Sequence, residues 1–201
     1  MELIRQVNEK LEAGFIPASA ILAKFQLGLN PPYYLTDPTY LPFYLYLGQF
    51  VNPINLLEVG FESGLVSGSF LLSCKSVENF LGFQQVDDKV HYSTRFGQHN
   101  LALCYRKNSY IHFGSLSDSD FITALGFKKW DLVLINSEYT YDEYLFCFRS
   151  IWPNIADNGL LILDKINSHK PARLSFYDFA KISNREVLSF KSKYQASMII
   201  K

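Results

Sequence analysis

Charge is scarce in this chain and cancels: 19 Lys and Arg face 19 Asp and Glu in 201 residues, and the isoelectric point is near 6.9. No global field is left to recruit nucleic acid or an anionic membrane, so neither is expected as a partner. Cysteine is equally sparse. Cys74, Cys104 and Cys147 are odd in number and show no C-x-x-C spacing, which argues against a disulfide framework and against a zinc site. A reducing compartment suits such thiols, and a cytoplasmic location is the expectation. There is no basic start followed by an apolar h-region and no apolar run of bilayer length, nor any internal repeat or low-complexity stretch. Aromatics, by contrast, are abundant at 16%, nearly all Phe and Tyr. They supply packing surface or a partner interface, and Tyr33-Tyr34 and the stretch from Tyr40 to Phe50 leave a homo-oligomer or a larger assembly open.

The length suits one α/β domain with its own core, preceded by an extension. Glu2 to Ala13 carries Leu3, Ile4, Val7 and Leu11 at the spacing of an amphipathic helix, and Gly14 is placed to end it. Pro17 to Leu27 suggests a second short helix. Pro31, Pro32, Pro38 and Pro42 make the next segment irregular, after which Leu41 to Val51 reads as an apolar helix with Pro42 in its first turn. Residues 1–52 are therefore expected to form a helical extension or lid, and residues 53–201 the α/β body.

In that body strand and helix patterns alternate. Strands are expected at 54–59, 80–84, 110–113, 131–136 and 160–164, with helices at 65–77, 93–106, 119–125, 141–152 and 171–182. Near-continuous apolar strands separated by helices imply a parallel sheet covered on both faces. The rhythm breaks at the end, where Glu186 to Lys191 and Gln195 to Lys201 are β runs joined by a short polar turn, hence an antiparallel hairpin.

The most informative run is Ile54-Asn-Leu-Leu-Glu-Val-Gly-Phe-Glu-Ser-Gly64. A glycine turn between a buried strand and a helix lets a ligand lie on bare backbone, and the helix start offers unpaired N–H groups at a positive dipole end. Two further segments matter: Trp130-Asp-Leu-Val-Leu-Ile-Asn136, and Ile151 to Asp164, which ends Gly-Leu-Leu-Ile-Leu-Asp. With the Glu58-x-Gly60-x-x-x-Gly64 loop they resemble the class I S-adenosylmethionine (SAM) dependent methyltransferases, in particular the small single-domain group. The resemblance implies a doubly wound, mainly parallel seven-stranded sheet ending in an antiparallel hairpin, SAM as cofactor, and a small-molecule acceptor. It places Glu58, Gly60, Phe61 and Gly64 under the methionine part, Gln84 at the ribose, Ser115 at the adenine, and Asn136 and Ser137 at the end of strand four.

Several positions depart from the family pattern. Gln84 stands where an acidic residue usually meets the ribose hydroxyls, with Asp87 or Asp88 as substitutes if the strand runs on; Asn136 replaces an Asp and Tyr139 a His. The magnesium-dependent relatives use an Asp after strand four and an Asp-Asn pair after strand five; here Asn136, Asp164 and Lys165 stand there, and a lysine repels a divalent cation, so no metal is expected. Catalytic candidates are His169, of the residue type most used as a general base, with Lys165 and Asp164. Glu138 and Tyr139 are candidates for substrate contact. His91, His99 and His112 lack ligand-spaced partners and read as structural. A catalytically degenerate domain serving as a scaffold or subunit is the alternative. A nucleotide-binding oxidoreductase is disfavoured because Gly60 and Gly64 lack Gly-x-Gly-x-x-Gly spacing.

Overall fold

A computed structural model describes residues 1–14, 16–25, 40–86, 91–116, 119–126, 128–191 and 196–201, with backbone only at 91–95 and 120. Three helices come first: α1 (Glu2–Ala13), α2 (Ala18–Leu22) and α3 (Tyr40–Phe50). Gly14 ends α1 in the left-handed conformation, φ 64°, where a residue without Cβ is unstrained. Helix α3 has no polar side: every residue from Tyr40 to Gly48 is buried. A short helix apolar all round needs cover on all its faces.

The body alternates β1 (Asn55–Val59), α4 (Leu65–Ser73), β2 (Asn79–Gln85), α5 (His91–Cys104), β3 (Asn108–Gly114), α6 (Ser119–Leu125), β4 (Trp130–Ile135), α7 (Tyr141–Ile151), β5 (Ile155–Leu163), α8 (Lys170–Ile182), β6 (Leu188–Ser189) and β7 (Ser197–Ile200). One seven-stranded sheet results, in the order β3-β2-β1-β4-β5-β7-β6. Its first five strands are parallel, while β7 runs antiparallel to both β5 and β6. The expected hairpin is present, with shorter strands than its β runs.

Two hydrophobic clusters sandwich the sheet. On one face Leu56, Phe80, Leu132 and Ile162 meet α3, α4 and α5, with Val7 of α1 and Ile21 of α2 behind them. On the other Leu57, Phe83, Val133 and Leu161 meet α6, α7 and α8. The two-residue alternation explains this division, and it also sets Glu58, Asn136 and Asp164 on the α3–α4 face. Thr140 opens α7 with a capping box: it accepts from the Glu143 N–H, while the Glu143 carboxylate returns a bond to the Thr140 N–H.

The main boundary correction is β5, which begins at Ile155 and not at residue 160. Asp157-Asn158-Gly159 reads as a turn, and Asn158 does take a positive φ of 64°, yet the strand continues through it as a register shift against β4. Gln26, Leu27, Tyr33, Tyr34, Asp87 and Asp88 lie outside the described residues.

Candidate active site

The strand order reverses between β1 and β4, and at such a point the carboxyl ends of an open α/β sheet leave a crevice. The β1–α4 loop is held there by main-chain bonds. Gly60 and Phe61 both donate to the Phe83 carbonyl, at 2.8 and 3.2 Å, and Asn136 donates to the Val59 carbonyl at 2.9 Å. Gly60 sits at φ 87° and Gly64 at φ 65°. A Cβ on Gly60 would stand 2.2 Å from the Asn136 carbonyl oxygen and 2.3 Å from Ser137 Oγ. The glycine is therefore obligatory for the close approach of two loops as well as for the turn.

Glu58 precedes this loop and is wholly buried; among the described residues neither carboxylate oxygen has a hydrogen-bond partner. Burial pushes its carboxyl up to about 8, with the charges of Glu62 and Asp164 adding to the rise. Ser67 lies near enough to temper it, though its hydroxyl makes no hydrogen bond of proper geometry.

Asp164, at the end of β5, is buried on the same face. Its Oδ2 accepts from Tyr40 at 2.7 Å and from Tyr44 at 2.9 Å, both on α3, while Oδ1 has no partner among the described residues. Burial raises the Asp164 carboxyl, and the charge of buried Lys165 and the two phenols hold the rise back. The Tyr40 oxygen is also 3.1 Å from Asn136 Oδ1. One phenol hydrogen cannot serve both acceptors, so with Asp164 taking it, Asn136 must present its NH₂ to Tyr40.

A second group forms around Tyr144. Its hydroxyl donates to the Ser137 carbonyl and stands 3.5 Å from His169 Nδ1, and its ring meets Tyr139 edge-on. His169 is half-buried at the start of α8. Since the Tyr144 hydrogen is directed to Ser137, the phenol oxygen is left to accept from Nδ1–H, which makes Nε2 the basic nitrogen. Tyr139 is buried, its hydroxyl without a partner among the described residues, and burial raises that phenol as it raises Tyr144.

The structure thus gathers Glu58, Asn136 and Asp164 under α3, with buried Lys165 following Asp164 in the chain, and Ser137, Tyr139 and His169 around Tyr144. Other expected residues sit elsewhere. Glu138 is exposed, and Ser115 follows β3, two strands away from β1. Two side chains differ from their expected roles. Gln84 is buried, with Oε1 accepting from the Glu62 N–H at 2.6 Å and its NH₂ donating to the Gln85 carbonyl, so it braces the glycine loop. The Phe61 ring is core: Cβ atoms placed on Gly64, Gly82 and Gly97 would each come within 2.7–3.0 Å of it. Local pattern did not single out Tyr40 and Tyr44, although two hydroxyls four residues apart in an otherwise apolar helix are the available signal.

Asp164 accepts from two phenols on Oδ2, and among the described residues no group of three His, Cys, Asp or Glu side chains is placed to hold a metal ion. The fit to SAM is divided. An unpartnered buried carboxyl beside a glycine loop and the start of α4 suits the ammonium and carboxylate of an amino acid, whereas the ribose end offers a Gln84 already engaged.

No protein-family model matches the sequence, and no curated protein matches it. Solved structures do. An O-methyltransferase of tomaymycin synthesis from Streptomyces achromogenes, bound to SAM, aligns with a TM-score of 0.66 and 12% identity over 100% of this chain and 98% of its own. The O-methyltransferase of Bacillus cereus, in complex with SAH, gives 0.62 and 14% over 98% and 91%. A methyltransferase of Podospora anserina, bound to SAH, gives 0.63 and 11% over 96% and 86%.

Proposed function

Since the chain has the class I methyltransferase fold, we propose that it transfers a methyl group from SAM to an oxygen of a small-molecule acceptor without a metal. The observation that carries this reading is Glu58: a fully buried carboxyl whose two oxygens find no hydrogen-bond partner among the described residues, placed immediately before a glycine loop. Left alone it is a liability, and a ligand ammonium would relieve it.

SAM supplies an electrophilic methyl on a sulfonium, so the protein's part is positioning and removal of one acceptor proton. In this reading Glu58 holds the ammonium, the Gly60–Gly64 loop and the start of α4 hold the carboxylate, and Ser137 lies beside them. His169, oriented by Tyr144, takes the acceptor proton on Nε2, while Tyr139 and Glu138 border the acceptor. Helix α3 serves as the wall of the site, with Asp164 and Lys165 fixing it from below, and residues 1–52 as a whole act as its cover. The three free thiols fit a reducing cytoplasm, and among the described residues no helix is long and apolar enough to cross a membrane.

A second reading, a degenerate domain acting as a scaffold, is favoured by one observation: the residue at the ribose position is consumed by the loop it should face. Calorimetry with SAM at pH 7 in two buffers of different ionisation enthalpy separates the two. The enzyme reading expects micromolar binding with close to one proton released as Glu58 ionises against the ammonium, and loss of that release in Glu58→Gln. Absence of binding to the wild-type chain would give the scaffold reading first place. Gly60→Arg is a poor control, because its Cβ would strike the Asn136 backbone and disturb the fold itself.

A further inference from the structure

Among the described residues strand β3 is one margin of the sheet and pairs with β2 alone. From Asn108 to Gly114 it contains no Lys, Asp, Glu or Pro, the residues by which margins usually repel another strand. Gly114 turns its carbonyl inward to the Val86 N–H at 3.2 Å, so the alternation of strand backbone groups turns those of Ser109, Ile111 and Phe113 outward. The side chains of these three share the α5 face, since Ser109 pairs with Phe80 and Ile111 with Gly82. A cleft of about 640 Å³ lies on that face, its lining including Leu101, Tyr105, Ser109 and Ile111 together with the cations Arg106 and Lys107. Phe113 projects at the other end of the strand and is 41% exposed.

We propose that β3 pairs antiparallel with β3 of a second copy about a twofold axis at Ile111, joining two seven-stranded sheets into one across a homodimer. A twofold contact requires one surface to complement itself, and this one does. In that register Ile111 exchanges main-chain bonds with its own counterpart, and Phe113 of each copy stands opposite Ser109 of the other, at the border of the cleft. Each copy offers a ring where the other offers a hollow. Charge is compatible: Lys107, already bonded to Glu78 at 2.6 Å, falls opposite Ser115, and Arg106 opposite Leu116, so no like charges meet. An extended peptide from another protein could use the same backbone groups, but only a second copy brings Phe113 to the cleft in this way.

Sedimentation equilibrium of the full 23.1 kDa chain tests this. The wild type should be a dimer. Phe113→Asp and Ser109→Lys, both at exposed positions, should each weaken it by at least about tenfold without altering the circular dichroism or Tm. Combining them in one chain should restore it, because the introduced carboxylate and ammonium then face each other across the axis. A wild-type monomer at about 100 µM would overturn the proposal. So would a dimer indifferent to both single changes, which would place the interface elsewhere, or a double variant that stays dissociated, which would refute the register.

Discussion

Tyr44 donates its phenol hydrogen to Asp164 at 2.9 Å, across 120 residues of chain, and Tyr40, one helical turn earlier, does the same at 2.7 Å. The bonds tie an apolar N-terminal helix to the end of β5 through a single carboxylate oxygen, Oδ2. Both hydroxyls would be costly in that interior without an acceptor, and the acceptor would be costly without them.

Tyr44→Phe should therefore destabilise the protein by about 1–3 kcal/mol in urea unfolding, and a double-mutant cycle with Asp164→Asn should show coupling above about 0.5 kcal/mol. Additive effects would mean that the two groups do not share a bond in solution.

Glu58 makes stability depend on pH in a direction opposite to that of an ordinary paired carboxylate. Its folded value of about 8 lies above the ordinary 4.5, so between these values the native state holds a proton that the unfolded chain has released. Stability is full below the lower value and falls as pH rises towards the upper one, by an amount on the order of a few kcal/mol. Glu58→Gln should match the wild type near pH 4.5 and exceed it at pH 8, as read by urea midpoints at both. Parallel pH profiles would show that Glu58 is hydrated or paired.

The Phe61 ring predicts a split between two glycines. Gly82→Ala places its Cβ nearest to three Phe61 side-chain atoms, at 3.0–3.3 Å, whereas Gly97→Ala also meets the Glu62 carbonyl oxygen at 2.7 Å. Each should cost about 1–3 kcal/mol by overpacking. Phe61→Leu should recover much of the loss for Gly82→Ala and little for Gly97→Ala, since backbone cannot yield as a ring can. Equal rescue in thermal melts would contradict the placement of the ring.

At the start of α7, Thr140→Ala removes the acceptor for the Glu143 N–H and half of the capping box. A loss of about 1 kcal/mol in urea unfolding is expected, with no change in SAM titration. A larger loss would point to a role for the hydroxyl beyond the cap.

Much of the fold was legible because it is local. The Glu58-to-Gly64 run and the alternation of apolar strands with helices depend on neighbours within a few residues, and α1 and α6 have the expected boundaries. Strand β5 misled because Asn158 and Gly159 are turn residues, and it is tertiary pairing, with β4 on either side of them and from Lys201 to the Gly159 carbonyl, that carries the strand through. The site was less legible, for a related reason. The residue types at its edge could be read, but the destination of Gln84, the glycine cage around Phe61 and the phenols over Asp164 are tertiary facts. Gly64, Gly82 and Gly97 come from a loop, a strand and a helix, and no periodicity links them to one ring.

Helix α3 also bears on how the chain is made. Its neighbour α4 leaves the ribosome soon after it, so the two can cover part of each other early. The tyrosine end must wait until Asp164 has been synthesised, and Phe43 waits still longer for Phe190, which it meets edge-on at 5.0 Å. Through that interval an eleven-residue helix, destined for burial from Tyr40 to Gly48, stands half clothed, a natural binding site for a chaperone on the nascent chain.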